Sequence, residues 1–137
     1  MSNQFLDLIT KRRTIYAIAK NVEQSPERLI DLIQTAIKQS PSSFNSQSSR
    51  AVILFNSEHE KFWGFVADKL KSYAKDEESA AKTTAKMASF AAGVGTVLFF
   101  EDHTVVEGLQ EQFPSYADNF PIWAEHSTAI AQFATWT

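Results

Sequence analysis

Phe90-Ala91-Ala92-Gly93-Val94-Gly95-Thr96-Val97-Leu98-Phe99-Phe100-Glu101-Asp102 decides how this chain of 137 residues folds. The two glycines at 93 and 95 break the helical pattern that precedes them, because glycine is the poorest helix former after proline. Thr96–Phe100 is then a short apolar run rich in β-branched and aromatic side chains, which suits a buried strand. Asp102 follows where a carboxylate can cap a helix running to Gln112, and Pro114 ends that helix. The glycines are not a dinucleotide-binding turn, since such a turn follows a strand and opens a helix.

The same reasoning extends in both directions. Upstream, Asp76–Ala91 predicts a helix rich in Ala and Lys. Glu58–Tyr73 predicts another, with Phe62, Phe65, Val66, Leu70 and Tyr73 in helical rhythm. Ala51–Phe55 is an apolar run ending at Asn56-Ser57, the first strand. Ser40–Ser49 holds six serines, a proline, an asparagine and a glutamine. Each hydroxyl and amide there would need a partner if buried, so the segment predicts a loop. Ser25-Pro26 opens a helix with Leu29, Leu32, Ile33, Ala36 and Ile37 as its stripe, and Pro41 stops it. Gln4–Arg12 is a short helix with Phe5, Leu8 and Ile9 on one face. Downstream, a helix from about Asn119 carries Pro121 in its first turn. It sets Ile122, Trp123, Ile130, Phe133 and Trp136 among alanines, and so predicts burial on most sides. Two strands separated by helices give an α+β or α/β class. No linker divides the chain, so residues 1–137 are expected to form a single domain.

Composition removes several chemistries. There is no cysteine, hence no disulfide, thiol nucleophile or thiolate metal site. Ala51–Phe55 and Val97–Phe100 are far shorter than the roughly 20 residues of a membrane span. Lys11-Arg12-Arg13 follows the first apolar stretch instead of preceding it, unlike a signal peptide. A soluble cytoplasmic protein with no membrane partner is the expectation. The formal net charge is −3, which argues against nucleic acid. Residues 1–75 carry +4 and residues 76–137 carry −7. His59, His103 and His126 do not form the i, i+4 pair of a helical metal site, so no metal is expected. Glu101-Asp102-His103 is read more simply as a strand end with a cap. Trp63, Trp123 and Trp136 suit core or interface packing.

Two polar clusters bracket the second helix: Lys11-Arg12-Arg13-Thr14 before it and Pro41-Ser42-Ser43-Phe44-Asn45-Ser46-Gln47 after it. Two guanidinium groups and a hydroxyl can hold a phosphate monoester through planar, bidentate donors. Hydroxyls and carboxamides can donate to the carbonyls of a flat heterocycle and accept from its ring N–H. The plainer reading is equally simple: a basic helix end facing its dipole, followed by a serine-rich loop.

Arg12-Arg13-Thr14, followed by Pro41-Ser42-Ser43-Phe44-Asn45-Ser46-Gln47, resembles the FMN-dependent nitroreductase family, whose pattern is a basic-basic-hydroxyl triplet and then P-S-x-x-N-x-Q. Phe90–Asp102 and the Pro121–Trp136 helix are similar to a divergent bacterial and fungal branch of that family. The resemblance implies a three-layer α/β/α sandwich, FMN as cofactor and NAD(P)H as electron donor. It implies that Arg12, Arg13 and Thr14 hold the FMN phosphate and ribityl chain. It also implies that Ser42, Ser43 and Asn45 line the flavin site with Gln47 near it, in a homodimer. Lys86 is left outside this set. Ser48-Ser49-Arg50 departs from the Pro-Trp that often follows the glutamine. Family members are longer, and the helix ending at Trp136-Thr137 has no stop signal, so the expectation is a chain lacking the C-terminal third.

The implied activity is hydride transfer from NAD(P)H through FMN to a nitroaromatic, quinone or similar small acceptor. No catalytic side chain is required, because the cofactor carries the reaction. Two other readings stay open here: a non-catalytic flavin binder, and a phosphate-ligand module without flavin.

Overall fold

The computed structural model describes residues 3–137. Its elements are α1 (Gln4–Lys11), α2 (Pro26–Gln39), β1 (Ser49–Phe55), α3 (Asn56–Lys71), α4 (Glu77–Ala91), β2 (Gly95–Glu101), α5 (His103–Gln112) and α6 (Phe120–Trp136). Short 3₁₀ turns cover Ser43–Asn45 and Pro114–Asn119. Every expected element is present, and the fold is α+β. Among the described residues no helix is long and apolar enough to cross a membrane.

β1 and β2 pair in a two-stranded sheet. Ser48, beside the start of β1, accepts from the backbone N–H of Asp102 beyond the end of β2 at 2.9 Å. Gly95 at the start of β2 lies against Leu54 near the end of β1. The strands are therefore antiparallel.

The contacts divide the chain into two compact units. The first contains α1, Glu27–Val52 and Leu98–Thr137. Its core is Val106, Phe120 and Ala124, with Leu109, Phe113 and Trp123 packed around them. Asp102 caps α5 by accepting from the Thr104 N–H at 3.1 Å, as its position in the chain indicates.

α6 departs from expectation. Its buried residues are Phe120, Ala124, Ser127, Thr128 and Ala131, one stripe at helical spacing. Ile122, Ile130, Phe133 and Trp136 are among the exposed large hydrophobics. Small side chains let the neighbouring backbone approach closely, so this face packs inward although its residues are less apolar than the bulky ones opposite.

The second unit is Thr14–Pro26 with Ile53–Val97, built on the α3–α4 hairpin. His59 is fully buried. Its Nε2 lies 3.1 Å from the Ala91 carbonyl, which can only accept, so Nε2 carries the hydrogen. Its Nδ1 lies 2.8 Å from Thr96 Oγ1, and Trp63 Nε1 donates to the same oxygen at 2.9 Å. The chain Trp63 N–H, Thr96 O–H, His59 N–H, Ala91 C=O satisfies every polar group in turn. Asp76 caps α4, accepting from the Ser79 N–H at 2.7 Å. Hydrogen bonds from the Ser79 side chain and backbone hold the Asp76 carboxyl below its ordinary range. That cap is present above the ordinary carboxylate range and is lost as pH falls through the lowered value.

Gly95 is required by close approach. A Cβ there would lie 2.7 Å from the Leu54 carbonyl oxygen and 2.8 Å from the Phe55 ring. Gly95→Ala is expected to cost about 1–3 kcal/mol, read as a lower urea midpoint at an unchanged slope. Gly64 in α3 has nothing within 4 Å of the same added atom, so Gly64→Ala should stabilise by about 0.5–1 kcal/mol. Equal midpoints for the two variants would show that the strands yield.

Candidate functional site

The site is built on the loop between α2 and β1. Ser40 closes α2 by donating its hydroxyl to the Ala36 carbonyl at 2.8 Å. Pro41 then prevents continuation. Ser42 is extended, its carbonyl accepts from the Asn45 N–H at 3.0 Å, and its Oγ accepts from the Gln47 N–H at 2.9 Å. Gln47 Nε2 donates to Asn45 Oδ1 at 3.1 Å.

Phe44, Asn45 and Gln47 adopt left-handed backbone, with φ of 55°, 52° and 50°. For a non-glycine residue this costs on the order of 1–2 kcal/mol, and such strain clusters at ligand sites. Contacts around Phe44 offset it. Its ring lies 5.1 Å from Phe113 and from Phe120, 5.7 Å from Tyr116, and is stacked on Trp123 at 5.8 Å. Each aromatic pair contributes about 0.5–1.5 kcal/mol. Phe44 is thus the anchor of the loop, a role its position among serines did not announce.

Below the loop lies α6. The Ser43 N–H donates to Ser127 Oγ at 3.2 Å, and that hydroxyl donates to the Trp123 carbonyl at 2.7 Å. Ser48 is fully buried, contrary to a wholly exposed loop, because Glu101 accepts its hydroxyl at 2.8 Å. The Thr128 hydroxyl bonds both Glu101 and Ser49. Glu101 is therefore a structural carboxylate, and among the described residues no group of His, Cys, Asp or Glu could hold a metal.

Arg50 clamps the far edge. Its Nη1 donates to the Gln47 carbonyl at 2.8 Å and the Ser49 carbonyl at 3.0 Å, while Nη2 pairs with Asp102 at 2.8 Å. That pair is half exposed and worth about 0–1 kcal/mol. Its effect is on shape more than stability.

These parts enclose a cleft of about 460 Å³, within the range of small-ligand sites. Ile37, Lys38 and Ser40 come from the end of α2, Pro41, Ser42 and Gln47 from the loop, Ser49 and Arg50 from β1, Ser127 and Ala131 from α6. Of the residues expected from sequence, Ser42 and Gln47 line it. Ser43 and Asn45 shape the loop instead. Lys38, Arg50 and Ser127 were missed. Ser127 carried one signal, a hydroxyl inside an otherwise apolar helix.

The basic triplet sits at the end of α1. The Arg12 N–H closes that helix on the Leu8 carbonyl at 2.9 Å. Its guanidinium carbon lies 4.1 Å from the centre of the Trp136 ring, and its Nε is enclosed without a hydrogen-bond partner. A buried N–H without an acceptor is rare. Arg13 and Thr14 are exposed, and Thr14 falls in the second unit.

Comparison with known proteins identifies the family. A model of the nitroreductase family matches residues 9–137. HBN1 of Saccharomyces cerevisiae is 38% identical over 134 residues, which cover 96% of this chain and 66% of that protein. The nitroreductase FRM2 of the same yeast is 32% identical, over 99% of this chain and 68% of its own length. The nitroreductase CinD from Lactococcus lactis, solved in complex with nicotinic acid, superposes with a TM-score of 0.86 at 44% identity, over 96% of this chain and 66% of that one. CinD has also been solved with chloramphenicol and with 4-nitrophenol. The chain thus spans about two thirds of the length of HBN1 and CinD. On this match it belongs to the nitroreductase family.

Proposed function

We propose that this chain serves a flavin-dependent oxidoreductase of the cytoplasm, which passes hydride from NAD(P)H through FMN to a nitroaromatic, quinone or similar small acceptor. The observation that carries the reading is the enclosed Arg12 Nε without an acceptor, in the triplet to which the family resemblance assigns the phosphate. The residues fit the group. Arg12 and Arg13 supply planar cationic donors, and Thr14 a neutral one, for the phosphate and ribityl chain. Ser42 and Gln47, which line the cleft, supply a hydroxyl and a carboxamide for the polar edge of the ring system, on the loop that Ser43 and Asn45 shape.

When bound, FMN supplies the two-electron chemistry, accepting hydride from the donor and giving it to the acceptor. The chain's own residues bind and orient. Phe44 holds the loop in its strained conformation through four aromatic neighbours. Ser127 fixes the loop backbone at Ser43. Lys38 gives the cleft a cationic side chain, which favours acceptors bearing a carboxylate, nitro or phenolate group. The ligands seen on CinD, nicotinic acid and 4-nitrophenol among them, are flat rings of this kind. The exposed Ile122, Ile130 and Phe133 on α6 supply an apolar surface for a second copy of the chain in a homodimer.

The test uses purified protein incubated with FMN and freed of excess cofactor. The expected result is a bound flavin spectrum and acceptor-dependent oxidation of NAD(P)H with a nitroaromatic. Protein that stays colourless overturns the reading. Bound flavin without turnover replaces the enzyme by a flavin-binding protein.

A further inference from the structure

We infer that Trp136 is a positioning residue for the cofactor phosphate, acting through Arg12; the inference rests on the flavin reading above. Arg12 lies past the end of α1, in non-helical backbone, so no helix neighbour fixes its side chain. An arginine left free samples many rotamers. Here the guanidinium sits 4.1 Å from the Trp136 ring centre, and indole is the best aromatic face for a cation.

The indole face holds the centre of the guanidinium in place, and the group carries its N–H donors in one plane. That plane is what bidentate recognition of a phosphate needs. The geometry also explains Nε. A ring face offers Nε no in-plane acceptor, and the donor is enclosed and unpartnered.

Trp136 is itself held by α6, the helix whose Ser127 and Ala131 line the cleft. It stands about 7.5 Å beyond Ala131 along the axis, at 1.5 Å per residue. One rigid helix therefore supports both the cleft and the residue that orients Arg12. Trp136 is 53% exposed, so its replacement removes little core packing.

The experiment measures FMN and riboflavin affinity by flavin fluorescence for the parent chain, W136F, W136L, R12A and the R12A/W136L double variant. Riboflavin lacks the phosphate. W136L is expected to weaken FMN binding about 3- to 10-fold and to leave riboflavin unchanged. W136F, which keeps an aromatic face, should restore most of the loss. In the R12A background W136L should have no further effect, because the residue it positions is gone. Equal FMN affinity in W136L and parent overturns the inference, as does an equal loss for both flavins or an undiminished loss in the R12A background. In those cases the parent still binds FMN and the flavin reading stands. A parent chain that binds neither flavin overturns both.

Discussion

Arg12→Ala weakens FMN binding by about 1.5–3 kcal/mol, the usual worth of a charged hydrogen bond, or roughly 10- to 150-fold in Kd. The magnitude follows from the environment of the side chain. Its Nε is already out of water and without a partner, so the cost of desolvating that donor is met before the phosphate arrives. The cofactor gains the bond without that cost. Arg12→Lys should recover only part of the loss, since an ammonium is a point charge without the planar fork. The folding midpoint should move little, by about 0.5 kcal/mol or less for a residue outside the core. Isothermal titration with FMN, alongside urea unfolding of the free protein, separates the two effects. Unchanged affinity would mean that the basic triplet is only a helix end.

Thr96→Val costs about 2–3 kcal/mol of stability, from buried partners left unpaired at about 1–3 kcal/mol each. The hydroxyl is small but sits between two larger groups. It accepts from Trp63 Nε1 at 2.9 Å and faces His59 Nδ1 at 2.8 Å. Valine has nearly the same shape, so no cavity forms and the loss is polar. Thr96→Ser keeps both bonds and should cost less than about 1.5 kcal/mol, the range of losing one methyl group. Chemical denaturation of the three proteins decides it. Parity between the valine variant and the parent would show that water replaces the threonine.

Much of the fold was legible because its signals are local. Pro26 after Ser25 opens α2, and Pro41 closes it one residue past Ser40. Asp102 caps α5 from one residue away. Such effects act within a turn of chain, so reading the chain in order recovers them. The loop Ser42–Gln47 was legible as a polar site candidate for the same reason. Its left-handed backbone was not, since Phe44 adopts it only because Phe113, Tyr116, Phe120 and Trp123 converge on its ring from 69 to 79 residues away.

Ser48 and α6 mark the limit more sharply. A run of serines reads as solvated, yet Ser48 is buried because Glu101, far along the chain, accepts its hydroxyl. Apolar periodicity ranks residues by water aversion, so it predicted burial of α6 on most sides, the bulky one included. The protein packs the side of Ala124, Ser127, Thr128 and Ala131, because packing rewards close approach as well as hydrophobicity.

By itself the sequence determined which segments are helix and strand, and that a basic triplet and a hydroxyl-rich loop flank one helix. Tertiary structure alone decided that Lys38 and Arg50 line the cleft, that Arg12 lies over Trp136, and which face of α6 is buried. The first set depends on interactions within a few residues. The second depends on which distant surfaces meet, and that is set by shape and partner geometry, which no local pattern encodes.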